Sequence, residues 1–494
     1  MAEQANNLKA IDQNLEEYFK TFREKTIGTD YQFTSYYGKQ HLLYADWIAS
    51  GRLYQPIEEI ICKKIGPLMA NTHSFSSESG KAATYAYKEA RGIIKDHVNA
   101  NEDDILVTTG TGMTGALAKL HRFLQLQNCN DSSDRPVVFI THMEHHSNQV
   151  SWMELDVDVV IVEPNEDLQV SAASLRKEIE KYKNRSVKIG AFSGCSNVTG
   201  AITPFYELAE IMHENGGLCF VDFAASAPYQ TIDMHPENKN QQLDAIFFSP
   251  HKFLGGPGTC GILVFNKNLY KAVKPDNPGG GNVKWTNPWG EYGYNDDIEV
   301  REDGGTPGIL QVMRTALCLR LKDQMNPRKM HLREEELLRL FYKNIADSSE
   351  IELLGKQNEK RIGCISFNIS GMHYNLVVRL LNDRFGIQVR GGWSCASSYA
   401  HYFFKIKEES SAKLVKDIET KNLTNKPGWV RVSLHPIMTD KEVNYITDSI
   451  KAIIENKETW SKDYTYNKAT NEFDSVYGDD SALQEKMKQV FELQ

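Results

Sequence analysis

Short runs of β-branched and aromatic residues alternate with longer helical patterns from about residue 105 onward. Helix-length segments such as 172–183 and 204–215 separate several of these runs. The alternation is typical of βαβ units and predicts a mostly parallel sheet. The run 260–265 predicts one further strand, an antiparallel edge strand that closes the series. The apolar runs that form the series are 105–109, 137–141, 159–163, 187–192, 218–222 and 245–249.

The chain changes character after this series. Residues 277–308 are rich in Gly and Pro and are too polar for a core, which favours a functional loop. A helical pattern over 309–347 leads to a second region, with strands predicted near 362–369 and 429–434 and helices near 374–385 and 440–455. We therefore expect an N-terminal helical segment (1–40), a large domain (41–310), a linking helix with a small α+β C-terminal domain (311–455), and a C-terminal extension (456–494).

Composition narrows the class of protein. A chain of 494 residues with 41% hydrophobic and 24% charged residues is ordinary for a globular protein of two domains. Its formal net charge of -9 gives no reason to expect nucleic acid or an anionic membrane as a partner. The acidic, non-apolar N-terminus resembles neither a signal nor a transit peptide, and no apolar run is long enough to span a membrane. Eight scattered cysteines without a CxxC pair favour reduced thiols, a cytoplasmic location and no cysteine-based metal site.

Two strand ends carry the strongest chemical signal. In FFSPHKFLGG, a strand ends just before Lys252, which places this lysine at the carboxyl edge of the sheet, where such folds bind ligands. The apolar run 218–222 ends in Asp222, a charge whose burial requires a cationic partner. A protonated pyridine nitrogen is such a partner, and it lets pyridoxal phosphate (PLP) act as an electron sink. The pair predicts a PLP enzyme with Lys252 as the Schiff-base lysine; a solvated loop lysine and a helix N-cap are the structural alternatives.

A glycine pattern follows the first strand of the series. Gly110, Gly112 and Gly115 form a literal G-x-G-x-x-G that opens a helix, which would suit a dinucleotide. However, the next strand runs into His142 rather than into an acidic residue. The same geometry binds the single phosphate of PLP, so we interpret this loop as a phosphate cradle and keep a dehydrogenase as the weaker alternative.

Polar residues follow two more strands. The segment HMEHHSNQ matches no zinc-binding spacing, so no metal site is expected, and His145 suits an aromatic residue that stacks on a cofactor ring and moves protons. Asn197, in SGCSNVTG, would reach the cofactor's phenolic oxygen or a substrate carboxylate, with a turn asparagine as the alternative.

The second domain adds a thiol and two arginines. Cys395 follows two glycines near Arg390, which fits either a low-pKa nucleophile or a buried small hydrophobic residue. Arg431 lies inside an apolar strand, where a bidentate clamp on a substrate carboxylate would explain a buried guanidinium.

These motifs together resemble the class V aminotransferase fold family of PLP enzymes, and within it the cysteine desulfurase and selenocysteine lyase group of the SufS type. The resemblance covers roughly residues 40–455. It is specific because the motifs occur in the family's order. They are MEHHSN, SNVTG, VDFAAS, SPHK, GGTPG, VRGGWSC and VRVSL.

The resemblance implies a fold and a set of roles. The fold is α/β, a PLP-dependent transferase of fold type I, with a mostly parallel seven-stranded sheet in the large domain and a smaller α+β C-terminal domain. Lys252, His145 and Cys395 would be catalytic. The substrate would be held by Arg431, Arg390, Asn197 and His73. The cofactor would contact Gly110, Thr111, Gly112, His145, Asn197, Asp222, Ser249, His251, Lys252 and, from the second subunit of a homodimer, Thr306.

The implied activity is that of a cysteine desulfurase, which removes sulfur from L-cysteine through a persulfide on Cys395, gives alanine and can pass sulfur to an acceptor protein. Two departures separate this chain from the family's pattern: Ala225 stands where a glutamine is usual, and Gly112 replaces the second phosphate-loop threonine. The alternatives are another class V enzyme, namely a C–S lyase, selenocysteine lyase, amino-acid epimerase or aminotransferase, and a catalytically silent PLP-binding scaffold.

Overall fold

The computed structural model describes residues 14–72, 74–126, 134–357, 360–478 and 481–493. None of the helices in these ranges is both long and apolar enough to cross a membrane. In the described residues the helices are α1 (Leu15–Arg23), α2 (Gln55–Ile60), α3 (Glu78–His97), α4 (Gly112–Leu124), α5 (His146–Met153), α6 (Ala172–Glu180), α7 (Phe205–Glu214), α8 (Ile298–Glu302), α9 (Ile309–Met325), α10 (Pro327–Ile345), α11 (Tyr374–Phe385), α12 (Ser397–Phe403), α13 (Glu408–Glu419), α14 (Asp440–Trp460) and α15 (Ser481–Gln489).

The strands of the same residues form one large sheet, one smaller sheet and several two-stranded pairs. They are β1 (Gln32–Ser35), β2 (Gly38–His41), β3 (Leu43–Tyr44), β4 (Asp104–Thr109), β5 (Val137–Thr141), β6 (Asp158–Val162), β7 (Lys188–Ser193), β8 (Leu218–Asp222), β9 (Ala245–Phe248), β10 (Gly261–Asn266), β11 (Val283–Thr286), β12 (Tyr292–Tyr294), β13 (Ile351–Leu354), β14 (Cys364–Ile369), β15 (Ile387–Gln388), β16 (Arg390–Gly392), β17 (Trp429–Ser433), β18 (Tyr464–Asn467) and β19 (Glu472–Ser475).

The large sheet has seven strands in the order β4-β10-β9-β8-β7-β5-β6. The pairs among β5 to β9 are parallel, and β10 is antiparallel to both of its neighbours, so the predicted mostly parallel sheet is confirmed. The prediction that 260–265 is an edge strand was wrong, because β10 lies between β4 and β9. Its run Gly261 to Phe265 is buried throughout, as an interior strand must be.

Both faces of this sheet are covered, which explains why its strands are continuous apolar runs rather than alternating ones. In β8, Cys219 and Val221 belong to one core cluster and Phe220 to the other, and all three are fully buried. The polar residue that ends such a strand therefore stands out in the sequence. Here that residue is Asp222.

The second region, the small domain, is an antiparallel sheet, β13-β14-β17-β16; α11 packs against it, and α14 packs against α10 and α11. Its predicted strands and helices are present. The predicted helical region 309–347 consists of α9 and α10, which are separated at Asn326, a residue with φ of +63° followed by a proline at the first position of α10.

The N-terminal segment is only partly helical. Within the described residues α1 has nine residues, whereas β1 and β2 form an antiparallel hairpin whose turn, Tyr36–Tyr37, is followed by Gly38 with φ of +104°. A glycine at that φ favours a tight turn over a helix. The chain then crosses to the small domain, where β3 pairs in parallel with β15.

The C-terminal extension packs on the small domain of its own chain. Beyond α14, the strands β18 and β19 form a hairpin against α11. The Arg384 guanidinium lies 3.9 Å from the centre of the Tyr37 ring and 4.2 Å from that of Trp460, and it pairs with Asp463 at 2.5 Å. Side chains from both ends of the described chain thus enclose one arginine of α11.

Candidate active site

One cavity of about 510 Å³ lies where β4, β5, β7, β8 and β9 end and where the small domain faces them. This is the edge at which the sequence places its candidate residues. Thr306 is exposed and does not line this cavity, and His73 lies outside the described residues. The predicted site residues that line it are Gly110, Thr111, Gly112, His145, Asn197, Asp222, Ser249, His251, Lys252, Arg390, Cys395 and Arg431.

Lys252 lies on a short 3₁₀ turn that follows β9. Burial lowers the pKa of its ammonium group, and the charge of Asp222 opposes that shift. A lowered pKa increases the fraction of neutral amine, which is the form that attacks an aldehyde. The turn is closely packed, since a Cβ at Gly51 would lie 1.8 Å from the Phe253 carbonyl oxygen.

Asp222 ends β8 and is only 5% exposed. Its carboxylate accepts a hydrogen bond from the Ala224 N–H at 2.7 Å but forms no ion pair within 4.0 Å with any described residue. Burial raises its pKa to about 7. A buried acid without a cation is unfavourable when charged, so the site is prepared for a cationic group from a ligand.

The loop between β4 and α4 forms a cradle for an anion. The N-cap Thr111 makes no side-chain cap, and the Met113 N–H donates to the Ser249 hydroxyl at 2.8 Å. Gly112 has φ of +61°, and a Cβ there would lie 3.0 Å from Ser249 Oγ. The start of this 13-residue helix therefore presents backbone N–H groups and a hydroxyl to the cavity.

His145 is the N-cap of α5, and its Nδ1 accepts a hydrogen bond from the Ser147 N–H at 3.1 Å. Because Nδ1 is an acceptor, the proton of the neutral ring lies on Nε2. Burial, with Lys252 as the next cause, lowers the pKa of His145 to about 4. Burial also lowers the pKa of His251 to about 4, so both rings are neutral near pH 7.

A buried glutamate supports this turn. Glu144 is fully buried and accepts hydrogen bonds from Thr141, Ser193 and Asn148, each from a different element. These contacts fix the end of β5 against β7 and so orient His145. Sequence reasoning had treated Glu144 only as part of a rejected zinc motif.

Asp46 is the main residue that sequence reasoning missed. Arg390 and Arg431 are cross-strand neighbours in β16 and β17, and Asp46 lies between them, with contacts of 3.0 Å to Arg390 Nε and 2.9 Å to Arg431 Nη2. Arg431 also donates from Nη1 to the Asn197 carbonyl oxygen at 3.0 Å. The two guanidinium groups are thus held at the cavity by one carboxylate.

Cys395 is exposed and lines the same cavity as Lys252 and Arg431. It lies in a loop in which the Ser394 carbonyl oxygen accepts a hydrogen bond from Asn197 Nδ2 at 2.6 Å. The structure therefore brings the candidate nucleophile to the candidate substrate site.

The wall beside Lys252 is built from small side chains. Ala225 and Ala224 line the cavity, together with Cys195, which sequence reasoning did not single out. Burial raises the pKa of the Cys195 thiol, so that thiol remains protonated. The strand-end segment SGC carried the only sequence signal for it.

PLP fits this arrangement. Lys252 offers an amine to its aldehyde, Asp222 a buried carboxylate to its pyridine nitrogen, and the α4 cradle with Ser249 an anion site for its phosphate. The geometry of the cradle supports this fit. A Cβ at Gly112 would lie 3.0 Å from Ser249 Oγ and would fill space that is open to the phosphate. Among the described residues no cluster of three or more metal-binding side chains is present.

We expect Asp46→Ala to destabilise the protein by about 3 kcal/mol, since it leaves a buried guanidinium without its ion pair. It should also raise KM for an amino acid substrate, because the two arginines are no longer oriented. Urea unfolding and substrate titration measure both effects. Glu17→Ala, which removes an exposed salt bridge to Lys20, is the control and should change stability by less than about 1 kcal/mol. Equal stability of Asp46→Ala and the wild type would contradict this role.

We expect Asp222→Asn to stabilise the cofactor-free protein at pH 8. Between the pKa of an unfolded aspartate and the folded value of about 7, the folded protein keeps a proton that the unfolded chain has lost. Stability therefore falls as the pH rises through this window, by about 1.4 kcal/mol per pKa unit, and the variant lacks this loss. Melting temperatures at pH 5 and pH 8, with the exposed Asp30→Asn as control, measure the difference. A difference that is larger at pH 5 would refute the assignment.

Comparisons with known proteins point to the same family as the sequence motifs. The family model described as Aminotransferase class-V matches residues 43–446. A probable cysteine desulfurase of Pyrococcus abyssi is 27% identical over 372 residues, which cover 72% of this chain and 86% of that protein. One of Halalkalibacterium halodurans is 28% identical over 394 residues, which cover 76% and 92%.

Solved structures share the fold. A cysteine desulfurase of Thermococcus onnurineus NA1 matches with a TM-score of 0.70 at 23% identity, covering 84% of this chain and 95% of that one. The cysteine desulfurase CsdA of Escherichia coli matches with a TM-score of 0.69 at 19% identity, covering 88% and 98%. With the family model spanning most of the sequence, the chain belongs to the class-V aminotransferase family of PLP-dependent enzymes.

Proposed function

We propose that this protein is a cysteine desulfurase, which removes sulfur from L-cysteine and leaves alanine. The observation that carries the proposal is the place of Cys395, an exposed thiol in the same cavity as Lys252 and Arg431. An epimerase or aminotransferase needs the lysine and the arginine but has no use for the thiol. The relatives named probable cysteine desulfurase support the same activity.

Arg431 and Arg390 would bind the substrate carboxylate. Arg431 is 3% exposed, and its Nη groups contact Asp46 and Asn197, which fixes the plane of the guanidinium. Arg390 is more exposed and lines the same cavity. A carboxylate between these groups would direct the α carbon of the amino acid toward Lys252.

Bound PLP supplies an electron sink at the substrate's α carbon. The neutral amine of Lys252 would take the α proton, a role that its lowered pKa favours. His145, neutral and with a proton on Nε2, would stack on the cofactor ring and would donate a hydrogen bond from Nε2. Asp222 would stay charged once a cationic group faces it, since its pKa then falls.

Cys395 would carry out the sulfur transfer. Its thiolate attacks the sulfur atom of the substrate cysteine, so that a sulfur–sulfur bond forms and the bond between the substrate's β carbon and sulfur breaks. The electron pair of the broken bond stays with the carbon framework, which takes up a proton at the β carbon, regains a proton at the α carbon from Lys252 and leaves as alanine. The sulfur remains on Cys395 as a persulfide.

The exposure of Cys395 supports transfer of that sulfur to an acceptor protein, because an exposed thiol is accessible to a second thiol. We further propose a homodimer in which Thr306 reaches the partner's cofactor. Its own position, exposed and away from the cavity of its own chain, supports this. The seven cysteines of the described residues are all free, which supports a reducing, cytoplasmic location.

Alanine and sulfide release from L-cysteine by the PLP-loaded protein, with a reducing thiol present to release the persulfide sulfur as sulfide, tests the proposal. We expect Cys395→Ala to lose at least about tenfold in kcat, because the nucleophile is removed while cofactor binding is kept. Cys62→Ala is the matched control, since Cys62 is the other exposed free thiol of the described residues, and it should behave as the wild type. If Cys395→Ala is as active as the wild type, or if neither acts on L-cysteine, another class V reaction replaces this proposal.

A further inference from the structure

His146, the neighbour of the predicted stacking residue, contacts the loop that carries Cys395. The backbone N–H of His146 donates to the Cys395 carbonyl oxygen at 2.8 Å. Its imidazole Nε2 accepts a hydrogen bond from the Ser397 backbone N–H at 3.1 Å, and the Ser397 hydroxyl lies 2.8 Å from the same nitrogen. One residue of α5 therefore fixes the backbone at Cys395 and at the start of α12.

The ring of His146 must be neutral to make this contact. A backbone N–H can only donate, so Nε2 is the unprotonated nitrogen and the ring proton lies on Nδ1. Burial lowers the pKa of His146, and the charge of Lys426 lowers it further, which favours this form. The ring supplies the acceptor that α12 lacks locally, because its N-cap Ala396 has no polar side chain.

The loop needs such support because its backbone is strained. Ser394 and Cys395 both have positive φ, at 50° and 58°, a region that residues other than glycine rarely adopt. Asn197 Nδ2 holds the Ser394 carbonyl oxygen at 2.6 Å on one side, and His146 holds Cys395 and Ser397 on the other. Between these two anchors the Cys395 side chain is left free to face the cavity.

We propose that His146 is a positioning residue that sets the Cys395 thiol over the substrate. The inference rests on the proposed function, since the purpose of the contact is attack on the substrate's sulfur. His146 does not line the cavity, unlike His145, so it acts through the backbone of the loop. An adjacent pair of histidines thus serves the cofactor and the nucleophile separately.

Two variants and one control distinguish the contribution of the His146 imidazole from that of its backbone N–H. His146→Ala removes the ring but keeps the backbone N–H that bonds Cys395. His146→Gln restores a side-chain acceptor at a similar reach. His401→Ala is the control: its imidazole contacts the Ser397 carbonyl oxygen and the Ser411 hydroxyl but not the Cys395 backbone.

Amide hydrogen exchange of residues 393–400 in the PLP-loaded protein is the first readout. We expect faster exchange in His146→Ala and near wild-type exchange in His146→Gln and His401→Ala. The cofactor's absorption spectrum should be unchanged in all three, because none of these side chains lines the cavity. Unchanged exchange in His146→Ala would overturn the proposal.

Turnover of L-cysteine is the second readout. We expect His146→Ala to lose about 10- to 100-fold in kcat with little change in KM, and His146→Gln to recover most of it. Faster exchange with full activity would overturn a positioning role. A wild type that is inactive on L-cysteine would instead refute the proposed function, and the exchange data would still decide whether His146 holds the loop.

Discussion

The active-site cavity depends on the carboxylate of Asp46. Arg390 and Arg431 face each other across β16 and β17, and two like charges so placed would repel one another. The Asp46 carboxylate lies between them, 3.0 Å from Arg390 Nε and 2.9 Å from Arg431 Nη2, and it offsets this repulsion and fixes both guanidinium groups. Asp46 belongs to the N-terminal crossing segment, so this one group joins that segment to the small-domain sheet. Asp46 is also connected to the end of β7 and to the Cys395 loop, because Arg431 bonds Asn197 and Asn197 bonds the Ser394 carbonyl oxygen.

Much of the site could be predicted because polar residues that end apolar parallel strands meet at one edge of the sheet. Lys252, Asp222 and His145 were visible for this reason, and the order of the motifs extended the prediction to Cys395 and Arg431. Asp46 follows a strand of only two residues, and its partners lie 344 and 385 positions away in the sequence. No local pattern reports such a contact. The place of β10 was missed for a related reason, since strand order depends on pairing rather than on composition.

The cavity wall distinguishes this chain from the pattern that its family resemblance implies. Ala225 stands at the position expected to hold a glutamine, and the neighbouring wall residue is Cys195, a thiol that burial keeps protonated. A neutral thiol is a weak hydrogen-bond donor. The surroundings of the cofactor ring would therefore be less polar than in a protein with a glutamine at position 225. The same cavity is also lined by the polar side chains of Asn197, Arg390 and Arg431. Polarity is therefore concentrated where a substrate carboxylate would bind.

The contacts that enclose the Arg384 guanidinium can form only late in synthesis of the chain. Tyr37 is among the first described residues to leave the ribosome, whereas Trp460 and Asp463 are among the last. The large sheet has all seven strands once β10 has been synthesised, and a domain generally folds as a unit during translation. The contacts around Arg384 form only after residue 463 has been synthesised, and the small-domain sheet, on which Arg390 and Arg431 lie, needs the chain up to residue 433. A nascent or prematurely terminated chain can therefore complete its seven-stranded sheet before Arg390 and Arg431 are available to hold a substrate.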